Sequence, residues 1–136
     1  MFKYLKTIGA HSGAPEIEYL PVRSDSCIYK DSLCEMQAGY LSNSFTNGRS
    51  KFIPIETKNE TDTGKTHVKC IRILPGMFIE CEYMGDISNI SAGSPLVAAC
   101  EDADHYFCCQ EGDGCFEAVD VSSYEKTGTI IVTLHC

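Results

Sequence analysis

The chain has 136 residues and a formal net charge of −8, from nineteen acidic and eleven basic residues. Its length fits one compact domain, or two very small units that share one core, because domains most often hold roughly 100–150 residues. Direct nucleic-acid binding is not expected, because the basic residues are scattered, and neither is a membrane span, which needs an apolar run of ~18 residues.

The first 16 residues predict no regular element. Gly9, Gly13 and Pro15 lie among small and polar residues, and the apolar residues ahead of them are too few for a stable helix. We expect an extended or mobile N-terminal arm over residues 1–16, which is either a disordered terminus or a segment that orders against a partner. No apolar stretch here resembles that of a signal peptide, so we expect synthesis in the cytoplasm.

Residues 17–75 predict a first β unit, because short β-branched and aromatic runs alternate with turn residues. Pro21 limits the first run to the edge or the end of a sheet. The polar stretches 42–50 and 58–64 are predicted loops. The predicted strands are Ile17–Val22, Leu33–Met36, Tyr40–Leu41, Phe52–Thr57 and His67–Leu74.

The Pro-Gly turn at Pro75 is the strongest turn signal, and we place the start of a second β unit, residues 76–136, there. In its first strand, Phe78–Tyr83, apolar residues alternate with Glu80 and Glu82, which indicates one buried and one solvated face. Helical periodicity is nearly absent, so the fold class is predicted as all-β, a compact barrel or sandwich. The other predicted strands are Ser94–Ala99, His105–Cys109, Phe116–Val121 and a last strand over residues 129–134.

The two units resemble each other in sequence. Adding 64 to each residue number of Phe52–Cys70 gives Phe116–Leu134, and both segments are typical of a strand, a polar turn and a second strand. At the same offset, residues 18–20 (Glu-Tyr-Leu) fall on residues 82–84 (Glu-Tyr-Met). Self-similarity at a fixed spacing is an architectural signal, so we predict two related β units in tandem within one shared domain.

Nine cysteines are many for this length, and their odd number argues against a complete set of intramolecular disulfides. Several occupy strand positions that suit a small apolar residue, among them Cys34, Cys70 and Cys81. We expect most of the cysteines to be reduced packing residues, with a disulfide or a metal site as the alternatives.

The sequence contains no motif for catalysis or cofactor binding. The densest group of Cys and His residues, between Cys100 and Cys115, lacks the paired C-x2-C spacing of a zinc site. The acidic clusters lack the glycine and distal glutamate of a calcium loop, so solvated turns explain them better. A nucleophile motif, a phosphate loop and a dinucleotide fingerprint are also missing. We therefore assign no catalytic residue, no metal and no cofactor, and expect a protein that is not an enzyme.

Several stretches together form a recognisable pattern of strands and turns. They are Ala14–Val22, Gly64–Cys70, the junction Ile73–Glu80 with its Pro-Gly, aromatic and acidic residues, the Ala-Gly-Ser-Pro-Leu turn at 92–96 and the strand Gly128–Leu134. This pattern resembles the small capsid decoration, or cement, proteins of tailed bacteriophages. The nine cysteines depart from it.

The resemblance implies a structural role on the exterior of a virion. Such a protein bridges neighbouring subunits of the major capsid protein and holds the head against the pressure of packaged DNA. The implied partner is the major capsid protein, with self-association into a dimer or trimer on the capsid left open, and without direct nucleic-acid or membrane contact. We expect the N-terminal arm to make the capsid contacts through Phe2, Tyr4, Leu5 and Ile8.

One alternative is a small ligand-binding β-barrel that recognises carbohydrate through exposed aromatic residues such as Tyr40, Tyr106 and Tyr124. A lipoyl or biotinyl carrier is less well supported, because it needs a lysine at a hairpin tip, whereas Lys69 lies inside a strand pattern and Lys65 beside a threonine. A thiol or metal enzyme would rest on the cysteines alone.

Overall fold

The computed structural model of the chain describes residues 1–7, 15–43, 52–101 and 106–135, without the side chains of residues 100, 101, 106 and 107. About half of the described residues lie in strands and very few in helices, which confirms the predicted all-β fold class. The strands are β1 Phe2–Thr7, β2 Ile17–Pro21, β3 Glu35–Gln37, β4 Tyr40–Ser42, β5 Phe52–Pro54, β6 His67–Arg72, β7 Met77–Met84, β8 Pro95–Glu101, β9 Tyr106–Glu111, β10 Phe116–Asp120 and β11 Thr129–Leu134. A 3₁₀ turn, Ile87–Asn89, and a one-turn helix α1, Tyr124–Thr127, complete the described elements.

The second unit is a closed β-barrel. Its six-stranded sheet has the order β1-β7-β11-β10-β8-β9, and a parallel pairing of Tyr83 with Cys109 joins β7 to β9. Residues of β7 alternate strictly between buried and half-buried positions, as the sequence predicted. The inward residues pack with those of β10 and β11 because side chains on a pleated strand point alternately to its two faces.

The first unit has the same strand order as the second. Its three-stranded sheet β2-β6-β5 is joined to the β3-β4 hairpin by an isolated antiparallel bridge between Cys34 and Phe52. The resulting order, β2-β6-β5-β3-β4, corresponds strand by strand to β7-β11-β10-β8-β9, and the adjacent strands are antiparallel in both units. The sequence similarity at an offset of 64 therefore has a structural counterpart in topology.

The two copies differ in hairpin register. Phe52 pairs with Arg72, whereas Phe116 pairs with Leu134, which is the counterpart of Cys70 rather than of Arg72. The difference is two residues, so the same set of side chains stays on the inner face of each hairpin.

The extended N-terminal arm is not confirmed. Residues 2–7 form β1, which pairs with β7 of the barrel through a bulge between Tyr4 and Lys6. The Phe2 side chain is 0% exposed, and its ring lies 5.9 Å from that of Phe116. The sequence prediction was wrong for this segment because a six-residue strand that inserts one aromatic ring carries too little periodicity to be recognised locally. Residues 8–14 lie outside the described part of the chain.

Two clusters of buried side chains make up the core. The smaller one fills the first unit and contains Val22, Ile28, Cys34, Leu41, Phe52, Val68 and Cys70. The larger one fills the barrel of the second unit and also takes in Leu33, Ile53 and Ile73 from the first. The two units therefore pack against each other through apolar side chains, and burial of this kind is the main favourable contribution to folding.

A buried lysine holds two loops of the first unit together. The side chain of Lys58 is 0% exposed, and its Nζ donates hydrogen bonds to the carbonyl oxygens of Ser24 (2.9 Å), Ser26 (2.8 Å) and Asn59 (3.2 Å). The Lys58 backbone also exchanges two hydrogen bonds with Ile28. Three carbonyl oxygens satisfy the three donors of the ammonium group, which makes its burial tolerable. This contact fixes the turn that follows β2.

Candidate interaction surface

The outer face of β2 and β6 exposes large apolar side chains on a rigid sheet. Ile17 is 56% exposed and Tyr19 is 61% exposed, the two highest values among the large apolar residues that the structure describes as exposed. Ile71 and Lys69 lie opposite them on β6. We call this set, together with His67, the Tyr19 face. Exposed apolar residues are unremarkable singly, but a group of them on one face marks a contact surface.

The packing of the opposite side explains why these side chains point outward. Val68 and Cys70 of β6 are buried in the core of the first unit, so their neighbours at odd-numbered positions must point the other way. The pairing of β2 with β6 then places Ile17 and Tyr19 on the same outer side.

Cationic and aromatic groups surround the Tyr19 ring. The Lys69 Nζ lies 5.4 Å from the ring centroid, and the His67 ring meets Tyr19 edge-on at 6.5 Å. A cation within ~6 Å of an aromatic face is attracted by the ring quadrupole. These contacts restrict the tyrosine and lysine side chains, so less conformational entropy is lost when a partner covers them.

A groove adjoins this face. It has a volume of about 500 Å³ and is lined by Pro21, Val22, Arg23, Ser24, Asp25, Tyr40, Thr66 and His67. The Arg23 guanidinium lies 4.6 Å from the centroid of the Tyr40 ring, and we call this feature the Arg23–Tyr40 groove. His67 belongs to both the groove and the Tyr19 face, so the two features are contiguous.

Ion pairs neutralise other cations of the first unit. Arg72 forms two hydrogen bonds to Glu18, at 2.6 and 2.9 Å, which lower the pKa of the Glu18 carboxyl and raise that of Arg72. Burial alone would raise the pKa of Glu56, but hydrogen bonds from the Lys69 backbone and from Lys65 outweigh it and lower that pKa. Both carboxylates are therefore ionised at neutral pH and form ion pairs with basic side chains.

Charge is distributed unequally between the two units. Residues 17–75 contain eight of the eleven basic residues, whereas residues 76–136 contain one, Lys126, and eleven of the nineteen acidic residues. The Tyr19 face and the Arg23–Tyr40 groove thus lie on the unit that is not strongly acidic.

The three described residues of the predicted capsid contact, Phe2, Tyr4 and Leu5, do not form an open apolar surface. Phe2 is buried, and the half-buried Tyr4 shares a hydrogen bond of 2.8 Å with Thr7 through their hydroxyl groups. Leu5 is 38% exposed and lies at the bulge of β1, while Ile8 is outside the described residues. The bulge and the lysines that flank it, Lys3 and Lys6, are features that oppose the addition of another strand to an edge.

The tyrosines considered for carbohydrate binding differ in their surroundings. Tyr40 lies in the groove beneath Arg23, and Tyr124 packs edge-on against Tyr83 at 6.1 Å. The side chain of Tyr106 is outside the described part of the structure. Sequence reasoning assigned Ile17 and Tyr19 to one strand, Ile17–Val22, but did not identify the exposure of Tyr19.

The cysteines are mostly packing residues, as predicted. Five described cysteines are buried and form no disulfide, namely Cys34, Cys70, Cys81, Cys108 and Cys109. Cys27 is free and half-buried, and Cys115 is disulfide-bonded. Burial raises the pKa of Cys70 to about 12 and raises that of Cys109 well above its usual value. Within the described ranges, no three His, Cys, Asp or Glu side chains are grouped so that they could hold a metal ion.

No helix in the described ranges has the length and apolar character needed to cross a bilayer. Comparison of the chain with protein-family models, curated proteins and solved structures found no match.

Proposed function

We propose that the protein is a structural component of a virion that attaches to the outside of a capsid and bridges neighbouring subunits of the major capsid protein. The observation that carries this proposal is the Tyr19 face, a group of exposed apolar and aromatic side chains on a sheet of the first unit. The resemblance of the strand and turn pattern to capsid decoration proteins supplies the identity of the partner.

The chemistry of the Tyr19 face suits a protein partner. Tyrosine is enriched among the residues that dominate binding energy at protein interfaces, because it buries a large area at a small entropic cost. The flanking Lys69 and His67 provide polar groups at the rim of such a contact. A sheet also holds its side chains more firmly than a loop does.

The rest of the molecule is consistent with a component repeated over a lattice. A contact of modest affinity is sufficient for stable attachment when many copies, or several contacts per copy, act together. The acidic second unit would face solvent and keep the particles from associating with one another. Binding of a neighbouring subunit by a protein with a well-packed core would resist outward displacement of the shell.

The test uses heads stripped of this protein and purified variants added back. Replacing Tyr19 by serine removes a large exposed ring without disturbing the core, and we expect a loss of affinity of roughly thirtyfold, typical of an interface hot spot. Leu5→Ser is the matched control, because Leu5 is also an exposed apolar residue on a strand. Co-sedimentation of the variants with the heads measures the effect.

The two variants separate the Tyr19 face from the predicted arm contacts. Loss of binding in Tyr19→Ser with normal binding of Leu5→Ser supports the face. The reverse result would place the capsid contact at β1. Normal binding of both variants would contradict the assignment of the contact to either surface. Circular dichroism of each variant checks that its fold is unchanged.

Carbohydrate recognition is less well supported by the positions of the tyrosines. Sugar rings stack on open aromatic faces, but one face of Tyr40 is covered by Arg23, and Tyr124 is half-buried against Tyr83. We therefore retain the capsid role as the proposed function.

A further inference from the structure

We propose that the Arg23–Tyr40 groove binds a short acidic segment of a partner protein, with a carboxylate paired to Arg23 and apolar atoms lying against Tyr40 and Pro21. This assigns a ligand class to a second site beside the Tyr19 face. It does not require the partner to be a capsid protein, so it stands apart from the proposed function.

Arg23 is arranged to receive a carboxylate. Its guanidinium carbon lies over the Tyr40 ring, 4.6 Å from the ring centroid, and a cation–π contact of this kind does not use up the N–H donors of the group. The ion pairs found among the described residues involve Glu18, Glu56 and Glu82 with other cations, and none of them involves Arg23. A planar fork of donors without a carboxylate partner favours a bidentate ligand.

The walls of the groove are held in place before a ligand arrives. The Val22 backbone N–H donates to the Thr66 carbonyl at 2.9 Å, which ties the end of β2 to the start of β6. The Thr66 hydroxyl lies 2.9 Å from His67 Nδ1. The carbonyl of Ser24 is held by the buried Lys58 ammonium. Preorganisation of this kind lowers the entropic cost of binding.

The composition of the groove selects an acidic segment with apolar neighbours. Pro21 and the Tyr40 ring supply apolar surface, and Arg23 supplies the fixed positive charge. Asp25 is the one carboxylate among the described lining residues, and it disfavours an anion bound directly beside it. A volume of about 500 Å³ lies within the ~300–1,000 Å³ range of ligand sites.

Other occupants fit less well. A neutral oligosaccharide would need an open aromatic face, which the guanidinium covers on Tyr40. A second copy of this chain could offer the acidic residues of its second unit, but two chains of charge −8 repel each other at long range. A short acidic segment carries fewer negative charges than a second chain, so it is repelled less as it approaches the groove.

The experiment measures fluorescence anisotropy of a labelled peptide of alternating glutamate and leucine. The control peptide has glutamine in place of every glutamate. We expect the acidic peptide to bind and the control peptide to bind at least tenfold more weakly, because a charge-assisted hydrogen bond is roughly twice as strong as a neutral one. Absence of binding by the acidic peptide, or equal binding of both peptides, would overturn the assignment.

Variants of the full chain locate the site. Arg23→Gln should weaken binding of the acidic peptide about tenfold or more, and Asp25→Asn should strengthen it about twofold by removing a like charge. Lys126→Gln is the matched control, because it removes an exposed cation from the second unit and should leave affinity within about twofold. Unaltered binding by Arg23→Gln would refute the role of Arg23.

Two further measurements keep alternative explanations apart. Arg23→Lys retains the charge but loses the planar fork, so intermediate binding supports bidentate recognition and wild-type binding contradicts it. Sedimentation velocity tests self-association, and an oligomer that Arg23→Gln dissociates would show that a second copy occupies the groove instead. The peptide assay contains no capsid, so failure of capsid attachment and failure of this site are distinguishable.

Discussion

Replacing Lys58 by methionine tests the most unusual polar contact in the protein. Methionine has nearly the same length as lysine, so the packing of the side chain is largely preserved, while the three hydrogen bonds to Ser24, Ser26 and Asn59 are lost. Because the lost donor is charged and leaves three carbonyl oxygens without it, we expect a net loss of about 2–4 kcal/mol in the free energy of unfolding. The loss is smaller than the sum of three bonds because burying the ammonium itself is costly.

Urea unfolding followed by circular dichroism measures this loss. With an m-value of about 2 kcal/mol/M, a loss of ~3 kcal/mol lowers the unfolding midpoint by about 1.5 M. The control variant is Lys30→Met, which removes an exposed lysine from the same unit and should change the stability by less than ~0.5 kcal/mol. A Lys58→Met variant as stable as the Lys30→Met variant would refute the reasoning, since it would show that water replaces the ammonium without cost.

Three further predictions concern packing and thiol ionisation. A Cβ added at Gly114 would lie 2.5 Å from a backbone oxygen of β8, so Gly114→Ala should cost about 1–3 kcal/mol, whereas Gly64→Ala, with open space around it, should be neutral in the same urea assay. Phe2→Ala should cost about 3–5 kcal/mol and Leu5→Ala less than ~1 kcal/mol, and similar small losses for both would contradict the placement of β1 in the sheet. The pKa of Cys70 rises on folding from about 9 to about 12, so its contribution to stability is complete below pH ~9 and is lost as the pH rises towards 12. The urea midpoint should therefore fall more steeply between pH 9 and 11 in the wild type than in Cys70→Ala, and parallel curves would count against this ionisation.

The sequence was sufficient for the fold class and for most strand positions, because both follow from local alternation. The strict alternation in β7 predicted its buried face, and the repeat at an offset of 64 predicted related units that turn out to share a strand order. The two-residue difference in hairpin register could not be predicted, because a slip of two residues leaves the apolar pattern unchanged.

The features that depend on tertiary packing were not predictable from local sequence patterns. Lys58 was assigned to a polar loop, but three carbonyl oxygens from two separate turns surround its ammonium. Residues 2–7 of the predicted arm form β1, because Phe2 fills a site in the barrel that residues far along the chain create. The exposure of Tyr19 similarly reflects which face of β6 packs inward.

The composition of purified particles tests most directly the proposal that this chain is a structural part of a virion. Quantitative mass spectrometry of intact, DNA-filled heads from the source of this chain should find the polypeptide in a fixed ratio to the major capsid protein through successive purification steps. Intact heads that lack the polypeptide, or a ratio that falls with each purification step, would contradict the claim.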